Sequence, residues 1–153
     1  MEANETPAIP HAEWAAIEAA RRQAGLVGDF SLHDLTPVAL AQWRNNSAYE
    51  SAIAALTSAY PASEIATWEI QRQEATAWAA DDQSPTPWID AAAAVRGIDR
   101  VEYLTRTLAK ATAFAQASAW LTGRRQALDD QIKATPSEQL HTIVIDYTLP
   151  AAP

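Results

Sequence analysis

The chain has 153 residues, with 11 Lys and Arg against 19 Asp and Glu for a net charge of −8, and it contains 35 Ala, nine Pro, six Trp, four Gly and no Cys. That length suits one domain burying roughly 68–70% of its unfolded surface, and so much Ala implies a thin core with closely spaced elements. The absence of Cys excludes a disulfide framework, a thiolate nucleophile and Cys-ligated metal and leaves the redox compartment unread, while the acidic balance argues against nucleic acid or an anionic membrane as partner.

The first ten residues, with two Glu and two Pro and no Lys or Arg, do not read as a secretory signal. No window approaches the roughly 18 uninterrupted apolar residues of a membrane span, so the expectation is a cytoplasmic protein. A first helix is expected from about Pro10 to Ala24, with Trp14 and Ile17 on one face and Gly25 as its left-handed stop. Leu26 to Leu35 reads as a loop. Thr36-Pro37 starts a second helix carrying Leu40, Trp43, Ile53 and Leu56, kept as one helix although Arg44-Asn45-Asn46-Ser47 offers side chains that compete for backbone hydrogen bonds. Tyr60-Pro61 ends it, and a third helix is expected from Ala62 to Asp81 with Ile65, Trp68, Ala75 and Trp78 on one broad face.

Asp81-Asp82-Gln83-Ser84-Pro85 marks a boundary. Thr86 should cap a short helix begun by Pro87 and stopped by Gly97. Asp99-Arg100-Val101-Glu102 reads as a capping box, in which Asp99 accepts from the Glu102 amide and Glu102 reaches back, with Ile98 and Tyr103 as a hydrophobic staple. The helix it opens should run from Arg100 to about Ala134, near 50 Å at about 1.5 Å per residue. Its stripe of Val101, Leu104, Leu108, Ala111, Phe114 or Ala115, Leu121, Leu128 and Ile132 predicts a helical partner, and Gly123 costs roughly 1 kcal/mol relative to Ala. Thr135-Pro136-Ser137-Glu138 repeats the box and should open a last short helix toward Ile143. The β-branched run Ile143 to Thr148 reads as its end or as a lone strand whose partner is another chain.

These elements predict an all-α protein: a helical hairpin or bundle with one long C-terminal helix packed along Ala62–Asp81, burying Trp68, Trp78, Leu104, Leu108, Phe114 and Leu121, with a short C-terminal strand as the alternative ending. Residues 1–59 form an N-terminal helical region, 60–143 the helical hairpin region and 144–153 an extended tail.

Chemistry-bearing patterns are sparse. Of the three His, at 11, 33 and 141, only His141 has a Glu or His at helical spacing, in Glu138, and one such pair is half of a carboxylate–histidine metal site. Asp81-Asp82 and Asp129-Asp130 are adjacent pairs, which point about 100° apart on a helix and read as solvated surface rather than as a general acid and base. No Gly-rich phosphate loop or nucleophile elbow occurs. The expectation is therefore a non-enzymatic protein with no catalytic residue, no metal site and no cofactor. The six Trp divide between core anchors and an exposed aromatic surface; Trp88, just past a Pro at a helix start, and Trp120, one step off the stripe through Leu121, are the candidate partner contacts.

Tyr60-Pro61, Thr67-Trp68-Glu69, Gln73-Glu74-Ala75, Ala77-Trp78, Asp81-Asp82, Pro85-Thr86-Pro87, Ala94 and Arg96-Gly97, followed by a long helix with Gly123-Arg124-Arg125-Gln126 and Asp129-Asp130-Gln131-Ile132, resemble the C-terminal region of tail fibre assembly, or tail assembly chaperone-like, proteins of tailed phages and prophages. The resemblance covers about half the chain, Tyr60 to Leu140, and its motifs are specific as a set rather than singly. It implies a protein that binds a tail fibre or baseplate component, working in the host cell cytoplasm during assembly as a chaperone. The alternative it leaves open is a permanent component of the virion tail, fibre or baseplate, with the long helix forming a coiled coil or homo-oligomer. A helical regulator of a host protein is a third reading. The first 59 residues show no small β-rich module and depart from the resemblance.

Overall fold

The computed structural model describes residues 13, 15–17, 19 and 36–151. Among the described residues the fold is all-α, with helices α1 (Pro37–Thr57), α2 (Ala62–Ile65), α3 (Trp68–Ala80), α4 (Pro87–Arg96) and α5 (Arg100–Ala134), then a 3-10 helix at Ser137–Thr142. Of the expected first helix only Glu13, Ala15, Ala16, Ile17 and Ala19 are described, each helical; Trp14, Gly25 and the loop Leu26–Leu35 lie outside the described residues.

Helix α1 begins as its sequence requires: Thr36 Oγ1 accepts from the Ala39 amide at 3.1 Å and Pro37 occupies the first turn. Its polar stretch does not break it, because those side chains have tertiary partners and leave the backbone alone. Arg44 makes a two-pronged ion pair with Glu13 at 2.6 and 3.0 Å, and Asn45, 1% exposed, turns toward α5 and the C-terminal segment.

The helix expected over Ala62–Asp81 is two. The Thr67 hydroxyl donates to the Glu64 carbonyl at 2.7 Å and the Thr67 amide bonds the same carbonyl at 2.9 Å, a tightened turn that ends α2 and restarts the chain as α3. Helix α4 ends on Gly97, whose φ of 71° is the left-handed conformation that glycine adopts without strain. The Gly97 and Ile98 amides satisfy the Ala94 and Ala93 carbonyls at 3.2 and 3.1 Å.

Thr86 occupies the N-cap position of α4, but its side chain does not cap the helix. It is buried, its hydroxyl donates to Asp90 Oδ1 at 2.8 Å and accepts from Arg100 Nη2 at 2.6 Å. The free amides at the start of α4 go instead to the Glu74 carboxylate of α3, from Trp88 at 3.0 Å and Ile89 at 2.9 Å. A carboxylate there also meets the positive end of the helix dipole.

Helix α5 spans the range its capping signals define. Asp99 accepts from the Glu102 amide at 3.1 Å, but Glu102 does not reach back, since its carboxylate pairs with Arg106 one turn on. Two core clusters sit toward opposite ends of α5, about 42 Å apart at 1.5 Å rise per residue. Leu104 joins Ala75 and Ile89, with Trp78, Trp88, Tyr103 and Leu108 against them; Ile132 joins Ala41 and Leu140, with Val38 and Ile143 against them. Leu121 and Leu128 are buried between. Helix α5 thus packs on α3 and α4 through its first half and, most extensively of all, on α1.

The burial expected of Phe114 fails, and Val101 at the start of the stripe is exposed too. Phe114 is 38% exposed, because the stripe drifts around α5 while its packing partner changes from α3 and α4 to α1. Trp68, Trp78 and Leu108 are half-buried and Leu104 and Leu121 fully so. The second capping box is not formed either: the Thr135 hydroxyl donates back to the Gln131 carbonyl at 2.7 Å, and Ser137–Thr142 is a 3-10 helix without a side-chain cap. No strand occurs among the described residues. Residues 143–151 have no regular secondary structure; within them Tyr147 bonds Asn45 of α1 and the Asp146 carbonyl accepts from Arg124 of α5.

Candidate interaction surface

The buried polar centre of the molecule lies where α1, α5 and the C-terminal segment meet. Asn45 Nδ2 donates to the Arg125 carbonyl at 3.0 Å, and its Oδ1 accepts from the Tyr147 hydroxyl at 2.5 Å. Burial pushes the Tyr147 phenol pKa up, which keeps it a donor. The Tyr147 ring lies 6.1 Å from that of Tyr49, Tyr49 shares a hydrogen bond with Thr122 at 3.1 Å, and the Arg125 guanidinium sits 5.7 Å over the Tyr49 ring. None of these residues stood out as a site in the sequence. The available signal was a mid-helix Asn, poor for a helix interior unless its side chain has a tertiary partner.

The two candidate Trp contacts are far apart along the fold. Trp88 is half-buried beside the Ala75–Ile89–Leu104 cluster, its ring edge-on to Tyr103 at 6.5 Å. Trp120 is half-buried in a shallow groove of about 540 Å³, where Ala119, Gly123 and Ala127 of α5 face Asp146 and Thr148 of the C-terminal segment.

A third aromatic group has more exposed surface. Tyr60, Trp68 and Phe114 form an edge-to-face ladder, with centroids 5.1 and 5.8 Å apart, and Lys110 lies 5.5 Å over the Tyr60 ring. The turn at Thr67 sets this geometry, since Trp68 is the first residue of α3. Phe114, the ladder's outer member, is exposed.

Electrostatically the surface is built from short ion pairs. Hydrogen bonds from Arg72 and then Gln73 hold the Glu69 carboxyl down to about 2, at 2.7–2.9 Å. Asp129 is lowered chiefly by its hydrogen bond with Lys133, at 2.6 Å. Asp90 is lowered first by Thr86 and then by Arg100. Each lowered carboxylate has a cation or amide beside it, the pattern of structural pairing. Among the described residues no group of three or more His, Asp or Glu is placed to hold a metal ion, and no helix is long and apolar enough to cross a membrane. Glu138 and His141 both lie exposed on the 3-10 helix.

In comparison with known proteins, residues 109–145 match the HI1402 helical domain family. The matched stretch takes in most of α5, the 3-10 helix and the first residues of the C-terminal segment, and so includes Trp120 but not Trp88. No curated protein matches, and no solved structure matches.

Proposed function

We propose that this chain is a non-enzymatic binding protein of a tailed phage or prophage, which covers apolar surface on a tail fibre or baseplate component while that component folds and assembles. The resemblance over Tyr60 to Leu140 supports the phage reading. The observation that carries the binding reading is the Tyr60–Trp68–Phe114 ladder, whose Phe114 is exposed: exposed aromatic clusters mark protein contacts, because leaving them in water costs free energy that association recovers. In this reading α3 to α5 are a helical hairpin that presents the ladder, Trp120 adds a second contact along α5, and the charge of −8 keeps the free protein soluble. It works in the host cytoplasm and needs no cofactor.

The second reading is a permanent tail component. Ala115, Ala119, Gly123 and Ala127 are exposed at four-residue intervals on α5, and small side chains there allow another helix to approach closely in a bundle or homo-oligomer.

Purified virions separate the two. A chaperone is absent from particles, and its deletion leaves fibre protein insoluble. Recovery in particles at a fixed ratio to fibre protein establishes the structural reading, and normal fibre yield and infectivity on deletion would sink both.

A further inference from the structure

The two cores of the molecule are joined by a waist in which no side chain is buried. Along α5, Thr107 and Leu121 are buried and none of residues 108–120 is, a stretch of about 20 Å at about 1.5 Å per residue. On the facing side, Asn45 and Ala75 are buried and none of residues 46–74 is. That side is also interrupted: α1 ends at Thr57, and α2 is a single turn between the turn at residues 58–61 and the break at Thr67. Helix α5 runs through the waist unbroken.

The specific contacts across the waist are aromatic. Lys110 and Phe114, one turn apart on α5, reach the Tyr60 ring at 5.5 Å and the Trp68 ring at 5.8 Å, and Tyr60 and Trp68 stand edge-on at 5.1 Å. Among the described residues no hydrogen bond or ion pair joins residues 50–73 to α5. Polar connections resume only outside them, at Tyr49 with Thr122 and at Glu74 with the Trp88 and Ile89 amides. An α-helix satisfies its own backbone, so α5 loses no hydrogen bond when the other side lifts away. Opening the waist therefore costs half-buried side-chain contacts, whereas opening either end breaks a buried core.

We propose that the ladder is a latch: the connection between α1 and α3, carrying α2, lifts from α5 while both cores stay folded. The turn at residues 58–61 and the break at Thr67 take up the change, since such motions are absorbed at turns and element ends. A single helical turn does not survive without its packing, so lifting melts α2. Closed, the ladder shows chiefly the ring of Phe114; open, it frees those of Tyr60 and Trp68 as well. The latch thus sets how much aromatic surface the free protein displays, and a partner that binds the open form draws out the rest. This deepens the binding-protein reading, and rests on it for the purpose of the opening though not for the opening itself.

Native-state amide exchange on the full chain, read residue by residue, tests the latch. The Ala66 and Thr67 amides, bonded to the Ala62 and Glu64 carbonyls at 3.1 and 2.9 Å, report on the waist, and those of the buried Leu104 and Leu128 report on the two ends. Phe114→Ala and Tyr60→Leu remove opposite ends of the ladder. Each is expected to speed exchange at Ala66 and Thr67 together by roughly tenfold and to leave Leu104 and Leu128 unchanged. Phe114→Tyr, which keeps the ring, should retain the parent's rates. Acceleration shared equally by Leu104 and Leu128 would make the molecule one cooperative unit, and no acceleration at Ala66 and Thr67 would make their exchange the fraying of a short helix; either overturns the proposal. So does a Phe114→Tyr chain that behaves like Phe114→Ala. None of these outcomes touches the virion test, which reads association with a partner whether or not the waist opens.

Discussion

The Tyr147 hydroxyl and Asn45 Oδ1 are 2.5 Å apart and 102 positions apart in the chain. With the Asn45 amide bound to the Arg125 carbonyl, one buried side chain joins α1, α5 and the C-terminal segment, and both halves of its amide have partners. Removing one partner strands the other in a dry site, which is the costly direction.

Asn45→Ala should therefore destabilise the protein by about 1–3 kcal/mol, and Tyr147→Phe by roughly 1 kcal/mol, because the second change leaves a single acceptor unpaired. Urea unfolding of the two single variants and the double variant checks this. The double variant should lose less than the sum, since its two changes share one hydrogen bond; strict additivity would show that the pair is not coupled.

The Glu74 carboxylate makes a second long-range connection. It takes the Trp88 and Ile89 amides at the start of α4, so Glu74→Gln, which keeps the shape but offers one acceptor oxygen, should cost about 1 kcal/mol, and Glu74→Ala about 1–3 kcal/mol. Thr86→Val should instead act by removing a hydrogen-bond partner of Asp90 and Arg100. Amide exchange at Trp88 and Ile89 distinguishes them, because only the Glu74 variants release those two amides directly.

Signals confined to a few neighbouring residues were legible in the sequence. Thr36, Gly97 and Asp99 each act on backbone within four positions, and each does in the structure what its residue type suggests. Where a local signal competes with a distant partner, the distant partner prevails. Thr86 next to Pro87 reads as a cap, yet its hydroxyl is taken by Asp90 and Arg100, and Glu74, twelve residues earlier, caps the helix. Glu102 also forgoes its cap, though for a partner just as local, Arg106 one turn on. The β-branched run from Ile143 reads as a helix end or a strand, and in the structure it is neither helix nor strand; what its composition does not carry is that α1 and α5 supply its partners, Asn45 and Arg124. The aromatic ladder was missed for the same reason, since it depends on a helix break at Thr67 that the periodicity of Ala62–Asp81 runs through.

Acid should weaken the fold through its paired carboxylates. Glu69 falls from an ordinary 4.5 to about 2 in the folded chain, and Glu13 is lowered chiefly by its hydrogen bond with Arg44. A folded pKa below the unfolded one means that the unfolded state binds more protons in the window between them, so the contribution is complete above about pH 4.5 and drains away toward pH 2. The melting temperature should hold steady from pH 7 to pH 5 and fall below it. In Glu69→Gln the fall between pH 4.5 and pH 2 should be shallower; an identical acid limb in the variant would remove Glu69 from the account.

Gly97 and Gly123 should respond in opposite senses to the same substitution. A Cβ at either position meets no atom within 4 Å, so space does not distinguish them and backbone conformation does. Gly97 has φ of 71°, where an L side chain crowds its own carbonyl, and Gly97→Ala should cost about 1 kcal/mol. Gly123 lies within α5, and its negative φ gives glycine no advantage there; Gly123→Ala should stabilise the isolated chain by roughly 0.5–1 kcal/mol by narrowing the unfolded ensemble. Thermal unfolding of the two variants gives both signs in one experiment. The Gly123 variant also bears on the tail-component reading, because a methyl group in the exposed stripe that includes Ala119 and Ala127 widens any close helix contact there: a chain that is more stable alone but self-associates less would assign that stripe to an interface, and unchanged association would leave Gly123 a position of backbone economy alone.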